Sequence, residues 1–114
     1  MTEKSDRRSH CPISCTLDLI GDKWTLLVLR DAWLGATRFK DFQASPENIP
    51  SNLLTERLER LVGAGLLEKK PLAEGGARSG YHLTEKGRSL GPVLRAIKDW
   101  GLANLPGTRA AKLE

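Results

Sequence analysis

The side chains of this chain that could do chemistry are two thiols, two imidazoles and one run of polar residues at helical spacing. Cys11 has Arg7, Arg8 and His10 beside it, and the Pro12 that follows places it at a helix start. Positive charge and a helix N-terminus both favour thiolate, the form that reacts with oxidants and electrophiles. Cys15 lies one helical turn later, a second thiol at a spacing that does not close a disulfide without unwinding the helix. The alternative is that both are small, inert, apolar residues in a reducing cytoplasm. His10 and His82 stand alone, and a zinc site drawn from His10, Cys11, Cys15 and His82 would match no familiar ligand spacing. Neither HExxH, GxSxG nor a phosphate-cradling glycine loop occurs. The expectation is a chain that catalyses nothing and uses no metal or cofactor.

The polar run lies between Ser51 and Arg60. Asn52 suits adenine and the Thr55 methyl suits thymine in a DNA major groove; Glu56 could accept from cytosine N4 or pair with Arg60 four residues on. Arg57 and Arg60 are fit to hold phosphates or to brace the helix. Behind them Lys69, Lys70 and Arg78 form a basic set, of which Arg78 could enter a minor groove. With Arg38 and Ser51 they make up the expected contacts to double-stranded DNA. Set against this reading is a plain solvated helix face.

These side chains need elements to hold them. Leu54, Leu58, Leu61 and Val62 fall at i, i+4, i+7 and i+8, one face of an α-helix that Ser51 can cap and that Gly63 and Gly65 end. Residues 66–72 and 78–83 then read as short strands around Gly75-Gly76, a hairpin signal, with Tyr81 and Leu83 on one face. Upstream, Thr37 can cap a short helix over 38–44 whose Phe39 and Phe42 face inward. The turn through Pro46 and Pro50 makes the pair a helix-turn-helix, its second helix set for the groove. Cys11 and Pro12 open a first helix carrying Ile13, Leu17 and Ile20 until Gly21. Asp22 caps a second, running through Trp24, Leu27, Val28 and Ala32 to Gly35.

From Thr84 a last helix carries Leu90, Val93, Leu94, Ile97 and Trp100 along one stripe, with Pro92 bending or breaking it. A stripe this apolar needs a second surface, most simply the same helix of another subunit. Leu90, Val93, Leu94, Ile97 and Trp100 are therefore the expected dimer contacts of this helix. The domain is expected to span 11–105, between a mobile arm (1–10) and a tail (106–114).

Composition sets the bounds. The chain has 114 residues, 39% apolar and 28% charged, which suits one globular domain rather than a disordered or membrane-bound chain. Its longest apolar run, Leu26 to Leu29, falls far short of the roughly 20 residues of a membrane span, and residues 1–10 lack the apolar centre of a signal peptide. A cytoplasmic protein is expected. A net charge of +4 and a pI near 9.3 favour a polyanionic partner. Between Ser51 and His82, however, Arg57, Arg60, Lys69, Lys70 and Arg78 are nearly balanced by Glu56, Glu59, Glu68 and Glu74, so placement must create the surface. Three Trp, two Phe and one Tyr are too few for the stacking platform of single-strand binders.

The pieces CP (11–12), TLDLIGDKWTLLVLRD (16–31), RFKDF (38–42), IPSNLLTERLERLVGAGLLEK (49–69) and YHLTEKGRSLGPVL (81–94) resemble, in order, the HxlR-type winged helix-turn-helix regulators of the MarR-like superfamily. The resemblance implies a mainly α (α+β) winged helix-turn-helix with a small antiparallel β-hairpin wing and a C-terminal dimerisation helix. It implies a bacterial transcription regulator that binds an operator as a homodimer through its first and last helices, which adds Ile13 and Leu17 to the expected dimer contacts. It also implies that a cysteine at the position of Cys11 can sense oxidants or electrophiles. Repression by occupancy of a pseudo-palindromic operator is the expected action. The near-neutral helix 51–63 leaves a protein-interaction adaptor that does not bind DNA as the alternative. The chain departs from the resembled pattern in GARSGYHLT, where Arg78 alone matches a basic wing segment, and in Glu56, where Gln is usual.

Overall fold

The computed structural model describes residues 8–71 and 79–109. Their order is α1 (Pro12–Ile20), α2 (Thr25–Trp33), α3 (Phe39–Gln43), α4 (Ser51–Gly63), β1 (Leu67–Pro71), β2 (Ser79–Leu83), α5 (Glu85–Arg88) and α6 (Gly91–Asn104). This is a winged helix-turn-helix, mostly helical with one antiparallel two-stranded sheet. Among the described residues no helix is long and apolar enough to cross a membrane. Arg78 lies outside the described residues, as do Arg7 and the Gly75-Gly76 turn.

The core is built where the leucine spacing requires it. Leu54, Leu58 and Leu61 of α4 are fully buried against Val28 and Leu29 of α2, Phe42 of α3, and Leu66 and Leu67 at the head of the wing. Removing a side chain of this size from water contributes about 1.5–3 kcal/mol, enough to fix which face of α4 turns inward. The register pairs Leu67 with Leu83 and Lys69 with Tyr81. Tyr81 meets Phe42 edge-on, with ring centroids 6.3 Å apart, and its N–H donates to Thr37 O at 2.7 Å, tying the wing to the approach to α3.

Several ends differ from the local reading. Ser51 is the first helical residue, not the cap; Pro50 holds the cap position with extended backbone, and the Ser51 hydroxyl instead accepts from Gln43 Nε2 at 3.0 Å. The short helix covers Phe39–Gln43 rather than 38–44. Its start is satisfied not by Thr37 but by Asp41, whose carboxylate accepts from the Thr37 and Arg38 N–H groups at 3.1 and 3.0 Å. Acting from inside the first turn, Asp41 does what a capping-box acid does. Asp22 lies three residues before the first residue of α2, yet accepts from the Trp24 and Thr25 N–H groups at 2.9 and 3.0 Å. The last helix is two helices: α5, which Thr84 caps by accepting from the Gly87 N–H at 3.0 Å, and α6, whose first turn holds Pro92. The proline thus marks a break, at a site where its missing N–H is no loss.

Gly65 closes α4. It adopts φ +80°; its N–H donates to Val62 O at 3.0 Å, and the Leu66 N–H reaches Leu61 O at 2.9 Å. These are the two bonds of a Schellman turn, which glycine enters without penalty. The chain is thereby directed straight from α4 into the wing.

Candidate nucleic-acid interface

On the outer side of α4, Ser51, Asn52, Thr55, Glu56 and Glu59 are exposed. The Thr55 hydroxyl donates to Ser51 O at 3.0 Å, which leaves its methyl group on the helix surface. The face is continuous from the helix start through its second turn, as a helix entering a major groove needs.

The arginines of α4 also make contacts within the protein. Arg57 is turned toward the protein, its side chain 14% exposed, and its Nε donates to Asp22 Oδ1 at 3.1 Å. Its Nη1 engages Glu56. Of the two roles expected for it, phosphate contact or bracing the helix, this geometry is that of a brace. Arg60 joins the same cluster, with Nη1 3.6 Å from Asp22 Oδ2 and Nε 3.4 Å from Glu56 Oε2. Two cations and two carboxylates therefore lock the middle of α4 to the start of α2. Burial works against the Asp22 charge, but hydrogen bonds from Thr25, the Trp24 N–H and Arg57 outweigh it, holding the carboxyl well below its usual range. The Arg57 guanidinium, acting against slight desolvation, lowers the Glu56 carboxyl too. Both carboxylates are ionised at neutral pH.

A second cluster, not found by spacing, fixes the turn that aims α4. Arg30 on α2 grips Glu47 through two parallel bonds of 2.9 and 2.8 Å. It also reaches Ser45 Oγ at 2.9 Å and Asp31 at 2.8 Å. The Arg30 pairing, opposed by desolvation, brings the Glu47 carboxyl down to about 2. Between α3 and α4, Asn48 takes φ +58°, a left-handed conformation that Asn tolerates better than most residues. The residues were visible in sequence, but Arg30 and Glu47 lie 17 positions apart and no helical or strand period links them.

The wing residues are placed as expected where they are described. Lys69 and Lys70 are exposed on β1; Lys69 Nζ sits 5.6 Å from the Tyr81 ring centroid, and Lys70 Nζ is 3.5 Å from Glu68. Arg38 is half-buried at the head of α3.

On the opposite side, Ile13 and Leu17 of α1 and Val93, Ile97 and Trp100 of α6 are exposed. Leu94 is not available to a partner: it is 8% exposed and belongs to the core. Leu90 is half-buried against that core. Leu94 is thereby corrected to a contact within the protomer, whereas Leu90 borders the core with part of its side chain outward.

Cys11 is exposed at the N-cap of α1. Its expected basic surroundings are thinner than the sequence suggests, since Arg8 donates to Asp18 at 2.6 Å instead. Cys15 is half-buried, with Sγ 3.3 Å from Ser9 O.

The family described as HxlR-like helix-turn-helix matches residues 19–109. The chain is 40% identical over 106 residues to the uncharacterized HTH-type transcriptional regulator Rv3095 of Mycobacterium tuberculosis, covering 93% of this chain; it spans 66% of that relative's length. Among solved structures it is similar to PA1607, a candidate transcription factor, at TM-score 0.83 and 41% identity, covering 96% of this chain and 78% of that one. It is also similar to the redox regulator HypR in its reduced form, at TM-score 0.72 and 32% identity, covering 84% and 95%. With its helix-turn-helix, its wing strands and a family match over most of its length, the chain belongs to the HxlR-like helix-turn-helix family.

Proposed function

We propose that this chain is a transcription regulator that binds duplex DNA as a homodimer, with α4 in the major groove and the β1–β2 wing against the flanking backbone. The observation that carries the reading is the division of α4 into two faces. Leu54, Leu58 and Leu61 are wholly enclosed while Asn52 and Thr55 look outward, so the polar face is held open by the core rather than used up in it. Asn52 and Thr55 read base edges; Ser51, Arg38, Lys69, Lys70, Arg78 and the outer part of Arg60 hold the backbone. A dimer lying across a promoter represses by occupancy, and twofold symmetry makes the operator a pseudo-palindrome with half-sites about 34 Å apart.

A gel-shift series against random duplex and genomic fragments at two salt concentrations tests it. A regulator releases counterions and loses affinity steeply as salt rises, and Asn52→Ala weakens specific binding much more than non-specific binding. No binding to any duplex would leave the adaptor reading in its place.

The exposed thiol of Cys11, together with the similarity to a structure named a redox regulator, supports a second element of the proposal: modification of Cys11 by an oxidant or electrophile alters operator affinity. Cys11 then labels faster than a model thiol, and Cys11→Ser abolishes the response. Labelling at the model rate removes this element and leaves DNA binding standing.

A further inference from the structure

We propose that Glu56 reads a C·G pair in each half-site by accepting a hydrogen bond from cytosine N4, and that Asp22, acting through Arg57 and Arg60, is the positioning residue that makes this possible. The inference rests on the proposed DNA binding and names a determinant of its specificity. A carboxylate on a groove-facing helix is ordinarily repelled by the phosphates. Here its charge is met on the spot. Arg57 engages one oxygen of Glu56 and Arg60 Nε lies 3.4 Å from the other, while Asp22 balances the second cation. The four side chains sum to zero charge, which removes the long-range part of the repulsion and leaves the local chemistry of the carboxylate.

That local chemistry is restrictive. An ionised carboxylate accepts only and has about four lone-pair sites; the two arginines occupy inner ones, and the side chain remains 52% exposed. Asp22 is itself fixed by the Trp24 and Thr25 N–H groups, so the arginines, and through them Glu56, are held in one arrangement against the start of α2. In the major groove two bases offer a donor. The adenine N6 donor lies between two acceptors, its own N7 and O4 of the paired thymine, and both repel a carboxylate. Cytosine N4 has an acceptor on one side only, O6 of the paired guanine. An acceptor-only side chain therefore prefers C·G, whereas a glutamine at the same place, donating and accepting at once, would suit adenine.

Selection of bound sequences from a randomised duplex pool tests this with the full chain. Wild type should show one C·G position per half-site, preferred by about tenfold. Glu56→Gln should lose that preference or move it to A·T at that position alone. Asp22→Asn should reduce it several-fold while binding to random duplex is retained or strengthened by the unbalanced cation, a loss of base preference without loss of affinity that mere loosening of the fold would not give. If wild type and Glu56→Gln select the same base at every position, the inference is overturned and the DNA-binding reading survives. If wild type binds no duplex at all, both fall.

Discussion

The consequence of pairing is sharpest at Glu47, because its carboxylate aims the turn before α4 without taking part in the exposed face. Its pKa falls from the usual glutamate value of about 4.5 to about 2, chiefly through the two bonds from Arg30. A carboxyl depressed in the folded state stabilises the fold fully above its unfolded pKa and loses that contribution as pH falls through its folded one. The difference in stability between wild type and Glu47→Gln should therefore be constant above about pH 5 and shrink between about 4.5 and 2. Partial exposure of the pair makes the total modest. Urea unfolding at a series of pH values measures it, and a difference that stays flat throughout would show that Arg30 does not hold Glu47 in solution. Asp22 obeys the same sign, but a lower folded pKa places its loss at more acid pH. Neither partnership was legible in sequence. Asp22 was readable as a cap, yet its bond to Arg57 spans 35 positions and depends on how two helices cross.

At the level of elements, the junction between α4 and the wing carries the geometry. Its glycines serve different ends. Gly65 supplies the left-handed backbone of the Schellman turn, so Gly65→Ala should cost about 1 kcal/mol through strain alone. Gly87 has ordinary backbone, but a Cβ there would lie 2.2 Å from Leu66 O. Gly87→Ala must push α5 off the chain entering β1, where Thr84 Oγ1 and Lys86 Nζ donate to the Gly65 and Ala64 carbonyls at 2.5 and 3.0 Å. The larger loss of melting temperature should therefore be at Gly87, and equal losses would contradict this division of roles. The sequence made α1, α2, α4 and the strand pair legible because burial on one face imposes a period that the leucines record. It signalled the break between α5 and α6 through Pro92 but did not place it at Ser89, since the apolar stripe runs on through Leu90 while the backbone turns. It also assigned Ser51 the cap, because a local rule cannot register that Pro50 and Gln43 already occupy the space around it.

For the whole molecule, the deciding question is what covers α1 and α6. Ile13 is 71% exposed and Trp100 62%, and Ile13, Leu17, Val93 and Ile97 line a groove of about 440 Å³ that also reaches Leu26. A single protomer rarely leaves so many large apolar side chains together in water. A stable interface buries about 1,200–2,000 Å² in total, and a twofold pairing of this face brings the same residues from both subunits together. Ile97 and Trp100 are the residues to change, since Leu90 and Leu94 pack within the protomer and their substitution would confuse assembly with folding. Ile97→Glu with Trp100→Glu should leave the helical content of the protomer intact and convert a sedimenting dimer to a monomer. Operator affinity should then fall by about 100-fold or more, because the second half-site is no longer engaged from a tethered partner. Non-specific affinity per protomer should change far less, and the footprint should shrink to one half-site. A wild-type chain that sediments as a monomer at micromolar concentration and still protects two half-sites would mean that DNA, rather than this apolar face, brings the subunits together.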